Sequence, residues 1–205
     1  MRGPVTIAVT GPFASGKSTL VRLLGERPNT ETASADEIVH HLLQNDQQTI
    51  SRVVDRFGED VRGPDGIDRK ALGREVFGDA EALRDLERIL HPPVRDETDR
   101  RIEASEAGLF VVEIPLLFET GRGEDFDYTV AVTVPDERRR AWSRERGVDD
   151  AALEAIESRQ YTGEEKAGRA DLVVQNDGDL DRLEEQAEGI GRKVWQEGDS
   201  HGHLR

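Results

Sequence analysis

Val5-Thr6-Ile7-Ala8-Val9 is a short apolar run, and Leu20-Val21-Arg22-Leu23-Leu24 follows with helical spacing, so the chain opens as strand, connector and helix. Gly25 to Asn29 breaks that helix, and Thr30 to Ser34 reads as a short second strand. Ser34-Ala35-Asp36-Glu37 then leads into Ile38-Val39-His40-His41-Leu42-Leu43, a helical pattern whose start carries a side chain able to cap it. From Thr49 to Arg101 the pattern is largely helical. Ile50, Val53, Val54 and Phe57 recur at core spacing, a turn passes through Gly58 and Gly63-Pro64-Asp65-Gly66, and Asp68-Arg69-Lys70-Ala71-Leu72 opens another helix. Leu83, Leu86, Ile89 and Leu90 form an apolar stripe. His91-Pro92-Pro93 is expected to interrupt the helix, because proline disfavours helical backbone at the residue before it, and Val94 to Ile102 resumes the pattern.

Leu109 to Phe118 is the strongest strand after the first, and its continuous apolar run suits a central parallel strand. Tyr128 to Val134 is the next, ended by Pro135-Asp136, and it feeds a helix carrying Arg138, Arg139, Arg140, Arg144 and Arg146. A helix from about Asp149 to Gln160 follows, then a last strand at Leu172-Val173-Val174 and a turn at Asn176-Asp177-Gly178. The final helix runs from about Leu180 to Trp195. Gly198 to Arg205 reads as a loose tail, in which His201 and His203 are disordered residues rather than metal ligands. Strands alternating with helices predict an α/β fold, a parallel sheet flanked by helices, and the long helical stretch between strands reads as an inserted substrate-binding subdomain at about 37–103.

A chain of 205 residues is long enough for one such domain and too short for two. No run approaches the roughly 18 apolar residues of a membrane span, and the first four residues lead directly into a strand, so a cytoplasmic protein without a membrane partner is expected. The absence of cysteine removes disulfides and thiolate metal sites. A formal net charge of −15, from 43 acidic against 28 basic residues, argues against broad binding to nucleic-acid phosphates. The acidity fits a salty habitat and an ordinary solubility device equally well. No coiled-coil heptad demands assembly, so a monomer or small homo-oligomer is expected.

Chemistry enters at Gly11-Pro12-Phe13-Ala14-Ser15-Gly16-Lys17-Ser18-Thr19, between the first strand and first helix. The spacing G-x-x-x-x-G-K-S is that of a phosphate-binding loop. Gly11 and Gly16 permit backbone conformations that let successive amides turn inward around phosphate oxygens, and the helix start adds unpaired N–H groups. Lys17 can reach the β- and γ-phosphates of ATP, and the Ser18 hydroxyl can ligate Mg²⁺. A glycine-rich connector that binds nothing leaves Lys17-Ser18-Thr19 unexplained.

Three further features each carry two readings. Asp36, near a strand end and a helix start, is either a base for a substrate hydroxyl or a helix cap. Glu113 either holds a Mg²⁺-bound water or is a strand-end carboxylate with a structural partner. The arginine-rich helix after Pro135 is either a lid over polyphosphate or a solvated helix paired with Asp136, Glu137, Asp149 and Asp150.

The ordered series of motifs resembles the dephospho-coenzyme A kinase family over about residues 5 to 185. It comprises the loop at Gly11 to Thr19, Ala35-Asp36, Phe57-Gly58, Asp68-Arg69-Lys70-Ala71-Leu72, Val76-Phe77, and Leu90-His91-Pro92 with Arg95. It continues with Ile114-Pro115-Leu116-Leu117-Phe118-Glu119, Arg159-Gln160, Glu164-Glu165-Lys166, Ala170-Asp171 and Asn176-Asp177-Gly178. The resemblance implies a P-loop kinase that moves the γ-phosphate of ATP, with Mg²⁺, to the ribose 3′-hydroxyl of dephospho-coenzyme A. It also implies a helical lid at about 136–168. By the same resemblance Asp36 is the catalytic base, Arg140 and Arg144 are lid arginines, and Asn176 lies near the adenine pocket. His40, Phe57, Arg69, His91 and Arg95 fall to the acceptor side. The chain departs from the family pattern at Pro12, Ser34 and His40, where glycine, aspartate and arginine are usual; histidine offers a substrate phosphate fewer donors than arginine does. The competing readings are a kinase of the same fold for another small metabolite or nucleotide, and a nucleotide-binding regulator without catalysis.

Overall fold

A computed structural model describes residues 3–200, with side chains through Val194. The chain divides into two compact units, one formed by the segments up to Ser34 and from Ala104 onward, the other by Ala35–Glu103.

The first unit is built on a parallel sheet of order β2-β5-β1-β6-β7, from β1 (Val5–Thr10), β2 (Thr30–Ser34), β5 (Leu109–Glu113), β6 (Tyr128–Thr133) and β7 (Leu172–Gln175). Every residue of β1 is buried, as expected of a central strand covered on both faces. Ile7 and Val9 join Leu20 and Leu24 of α1 (Lys17–Gly25), Val130 and Val132 of β6, and Leu183, Ala187 and Ile190 of α9 (Leu180–Ser200) in one apolar cluster. Two aspartates fix the strand starts. Asp127 accepts hydrogen bonds from the Thr6 amide and hydroxyl, both at 2.8 Å. Asp171 does the same for Thr129, both at 2.7 Å. Because all five strands are parallel, their carboxyl ends share one edge, where ligands of such sheets gather. Three helices lie between β6 and β7 in sequence: α6 (Asp136–Glu145), α7 (Asp150–Glu157) and α8 (Gly163–Ala167). Among the described residues, no helix is long and apolar enough to cross a membrane.

The second unit contains α2 (Ala35–Asn45), α3 (Gln47–Phe57), a hairpin of β3 (Arg62–Gly63) and β4 (Gly66–Ile67), α4 (Arg69–Val76) and most of α5 (Ala80–Ala104). Leu43, Ile50, Val53, Val54, Val61, Ile67, Leu72 and Leu90 form its core. Asp46 caps α3 through the Thr49 amide at 2.7 Å, and Asp68 caps α4 through the amides of Lys70 and Ala71 at 2.8 and 3.2 Å.

Three expectations are corrected. Helix α5 continues through Pro92 and Pro93 instead of breaking there. Neither proline has an N–H, so the carbonyls of Arg88 and Ile89 lose their helical donors, but His91 and Pro92 are exposed and water can replace the lost bonds. The strand expected over Leu109 to Phe118 ends at Glu113, because Pro115 has no amide for a neighbouring strand and the following residues turn. The loose tail is helical as far as Ser200, while His201 and His203 lie outside the described residues.

One ion-pair cluster in α5 gives a pH prediction. Glu97 accepts from Arg100 at 2.7 and 2.8 Å and from Arg101 at 2.8 Å, and these guanidinium groups, Arg100 foremost, lower its pKa from 4.5 to about 2. The resulting stability is present above the unfolded value of 4.5 and is lost as pH falls toward 2. A fully retained shift corresponds to roughly 3 kcal/mol, and the exposure of Arg100 reduces this to about 1–2 kcal/mol. In urea denaturation, the stability gap between the native protein and Glu97→Gln is expected to shrink by about half between pH 6 and pH 3. A gap independent of pH would show that the charge of Glu97 contributes nothing.

Candidate active site

β1 ends at Thr10, and the loop that follows is shaped by three residues at positive φ: Gly11 at 153°, Ala14 at 57° and Gly16 at 93°. At Gly11 a Cβ would stand 2.5 Å from the Val132 carbonyl oxygen, so the loop can pass this close to β6 only without a side chain. The Ser15 amide donates to the Pro12 carbonyl at 3.3 Å, closing the turn, and the Leu20 amide donates to Gly16 at 3.1 Å, starting α1. The amides of Gly16, Ser18 and Thr19 have no protein partner among the described residues. Free amides at a helix N-terminus make a site for a phosphate anion.

Asn176, just beyond β7, sets the orientation of this nest. Its Nδ2 donates to the Ser15 carbonyl at 2.9 Å, and the residue is buried against Gly16. In a trans peptide the C=O and N–H point in opposite directions, so holding the Ser15 carbonyl on Asn176 turns the Gly16 amide to the other side of the loop. Lys17 is buried and folds back over the loop, with Nζ donating to the Pro12 carbonyl at 3.0 Å. Ser18 Oγ donates to Glu113 Oε1 at 3.1 Å, Glu113 being the last residue of β5 and in register with Val9 of β1. A hydroxyl and a carboxylate together fit Mg²⁺, which takes few protein oxygens and completes its shell with water and phosphate. Among the described residues, no cluster of three or more His, Asp or Glu side chains offers a metal cage. The loop residues Gly11, Ala14, Ser15, Gly16, Lys17, Ser18 and Thr19 thus lie together with Glu113 and Asn176.

The arginines of α6 are paired with acids. Arg140 Nε donates to Asp136 at 2.8 Å, and Arg144 Nη2 reaches both oxygens of Asp150 at 2.9 and 3.1 Å. Arg140, then Arg139, holds the Asp136 carboxyl below the usual carboxylate range, and Arg144 does so for Asp150. Arg139 is the buried member of the group and joins α6 to α7 through ion pairs with Asp136 and Glu157. Its position three residues after Asp136 hinted at the first pair; nothing in the sequence hinted at its burial.

In the second unit, Asp36 occupies the first turn of α2, exposed and without a hydrogen bond or ion pair among the described residues, so it is not the helix cap. Arg69 Nη1 lies 3.3 Å from His40 Nδ1, a contact that requires this nitrogen to be the acceptor. Phe57 packs against the apolar core, with the Arg56 guanidinium 5.0 Å from its ring centre. His91 is exposed on α5, and four residues on, Arg95 lies 3.8 Å from Asp99.

Sequence reasoning assigned no role to Gln160, whose Oε1 accepts the Phe13 amide of the loop at 3.2 Å, or to Glu119 and Lys166, which form a buried pair at 2.7 Å. All three belong to the motif series that carried the resemblance.

The dephospho-CoA kinase family model matches residues 5–182. A dephospho-CoA kinase of Symbiobacterium thermophilum is 40% identical over 191 residues, covering 91% of this chain and 80% of that protein. A crystal structure of a Thermus thermophilus protein matches with a TM-score of 0.79 at 34% identity, over 94% of this chain and 99% of that one. Dephospho-CoA kinase from Campylobacter jejuni matches with a TM-score of 0.64 at 25% identity, over 92% and 96% of the two chains.

Proposed function

The chain belongs to the dephospho-CoA kinase family, its reaction is phosphorylation of dephospho-coenzyme A in the last step of coenzyme A synthesis, and we propose that ATP is the donor and the residues above divide the work. The free amides of the loop and the Lys17 ammonium hold the triphosphate. Ser18 and Glu113 would hold Mg²⁺, which would supply positive charge to offset that of the triphosphate. Asp36 orients the ribose 3′-hydroxyl and takes its proton. Arg140 and Arg144 exchange Asp136 and Asp150 for the transferring phosphoryl group when the lid at about 136–168 engages the nucleotide, excluding water from it. Asn176 fixes the loop and borders the adenine. His40 with Arg69, together with Phe57, His91 and Arg95, serve the acceptor from the helical unit. The observation that carries this reading is the set of unpartnered amides at Gly16, Ser18 and Thr19 beside Lys17.

A coupled ADP-release assay with Mg²⁺-ATP and dephospho-coenzyme A, with mass spectrometry of the acceptor, is expected to yield coenzyme A carrying one new phosphate at the 3′ position. ATP binding without modification of this acceptor would overturn the assignment. Turnover of a nucleoside, a nucleoside monophosphate or shikimate would then identify the other hydroxyl acceptor.

A further inference from the structure

Lys166 is the largest fully buried side chain among the described residues. An ammonium group is expensive to bury unless its three donors are all satisfied. Lys166 Nζ has three partners: the Pro115 carbonyl at 2.7 Å, Glu119 Oε1 at 2.7 Å and Thr10 Oγ1 at 3.4 Å. Thr10 is the last residue of β1, next to Gly11. Pro115 and Glu119 belong to the turn after β5, just beyond Glu113. Thr10 Oγ1 itself donates to the Pro115 carbonyl at 3.2 Å. Glu119 Oε1 also accepts the Tyr161 amide at 2.6 Å, and the neighbouring Gln160 accepts the Phe13 amide at 3.2 Å. The segment from Gln160 to Lys166 is thereby tied to the ends of the two strands that carry the phosphate loop and Glu113. Burial pushes the Lys166 pKa down while the hydrogen bond and charge of Glu119 act against that shift.

We propose that Lys166 is a positioning residue for the nucleotide site: its ammonium holds the end of β1 and the exit of β5 in one register, and with Gln160 joins them to the segment that follows the arginine-bearing helices. The proposal rests on the reading of the loop as the ATP site. Displacement of a binding group by about 1 Å is enough to lose roughly 10²-fold in rate, so a buried contact remote from the phosphates can govern their alignment. The bland account of the same geometry is that Lys166 only neutralises Glu119.

Two variants of the full chain separate the accounts. Lys166→Met leaves Glu119 buried and unpaired, and it should lower the Tm as well as MgATP affinity. Lys166→Met/Glu119→Gln removes both charges and keeps an oxygen for the Tyr161 amide, so no buried charge is left unpaired, but it cannot bridge Thr10 and Pro115. The expected result is a double variant with recovered Tm whose Kd for MgATP, by calorimetry, stays raised about tenfold or more, with an unchanged KM for dephospho-coenzyme A. Recovery of ATP affinity together with Tm would overturn the proposal, as would a folded Lys166→Met with native ATP affinity and kcat. If Lys166→Met alone does not fold, Thr10→Val, which removes the hydroxyl's bonds to Lys166 and Pro115 and leaves the Lys166–Glu119 pair in place, provides the second reading: a weaker MgATP Kd at native Tm supports the proposal and an unchanged Kd overturns it. The ATP titration is read without an acceptor, so failure to phosphorylate dephospho-coenzyme A would sink the acceptor assignment and leave this test intact.

Discussion

Asp36→Asn is expected to lower kcat toward dephospho-coenzyme A by about 10²-fold or more, the scale of a lost general base, while MgATP affinity stays within about twofold. The structural cost should be small. The native carboxylate is exposed, caps no amide and has no ion-pair partner among the described residues, so the isosteric amide disturbs no bond and Tm should not move. Asparagine can still hydrogen-bond a hydroxyl, so acceptor KM should change little; it cannot accept the proton that must leave the 3′-oxygen as the phosphoryl group arrives. Steady-state kinetics with calorimetric ATP binding reads both quantities. A kcat unchanged by the substitution removes Asp36 from the role of base, and a parallel loss of ATP affinity moves it to the nucleotide side.

What the sequence disclosed depended on whether the governing interactions were local. The strand-loop-helix around Lys17 was legible because the apolar run, the two glycines and the helical spacing lie within twenty residues and each demands the same backbone. Thr162-Gly163-Glu164-Glu165 carries a capping-box spacing, and the structure shows Thr162 and Glu165 exchanging cap hydrogen bonds, yet α8 was not expected because its few residues have no apolar period to announce it. Pro92-Pro93 misled for the opposite reason. A strong local breaker was overridden by helix on both sides, with Leu90 and Thr98 buried.

The site divides in the same way. The pairing of Arg140 with Asp136 was implied by their spacing of four on a helix. The buried state of Lys166 was not, since in Glu164-Glu165-Lys166-Ala167 it looks like one charge on a solvated face. Only the return of the chain to Thr10, Pro115 and Glu119 shows that the ammonium lies inside. The His40–Arg69 contact was likewise out of reach, because the two residues stand 29 apart in sequence and meet only when the helical unit folds.

Gly16→Ala is expected to destabilise the fold by about 3 kcal/mol and to weaken MgATP binding by about 10²-fold. Two costs add. An alanine at φ 93° carries roughly 1–2 kcal/mol of backbone strain, and its Cβ would overlap Nδ2 of Asn176, forcing the carboxamide off the Ser15 carbonyl. Leaving that buried carbonyl unpaired costs about 1–3 kcal/mol. Affinity falls because the peptide between Ser15 and Gly16 is no longer held with its N–H toward the phosphate. A double-variant cycle isolates the second cost. Asn176→Ala removes the overlapping group and the hydrogen bond together, so Gly16→Ala in that background should cost only the backbone strain, about 1–2 kcal/mol less than in the native protein. ATP affinity should not return, because the carbonyl anchor is missing in both variants. Strict additivity of the two stability losses would show that Asn176 does not press on Gly16. Native ATP affinity in Asn176→Ala would show that the nest keeps its shape without the carboxamide.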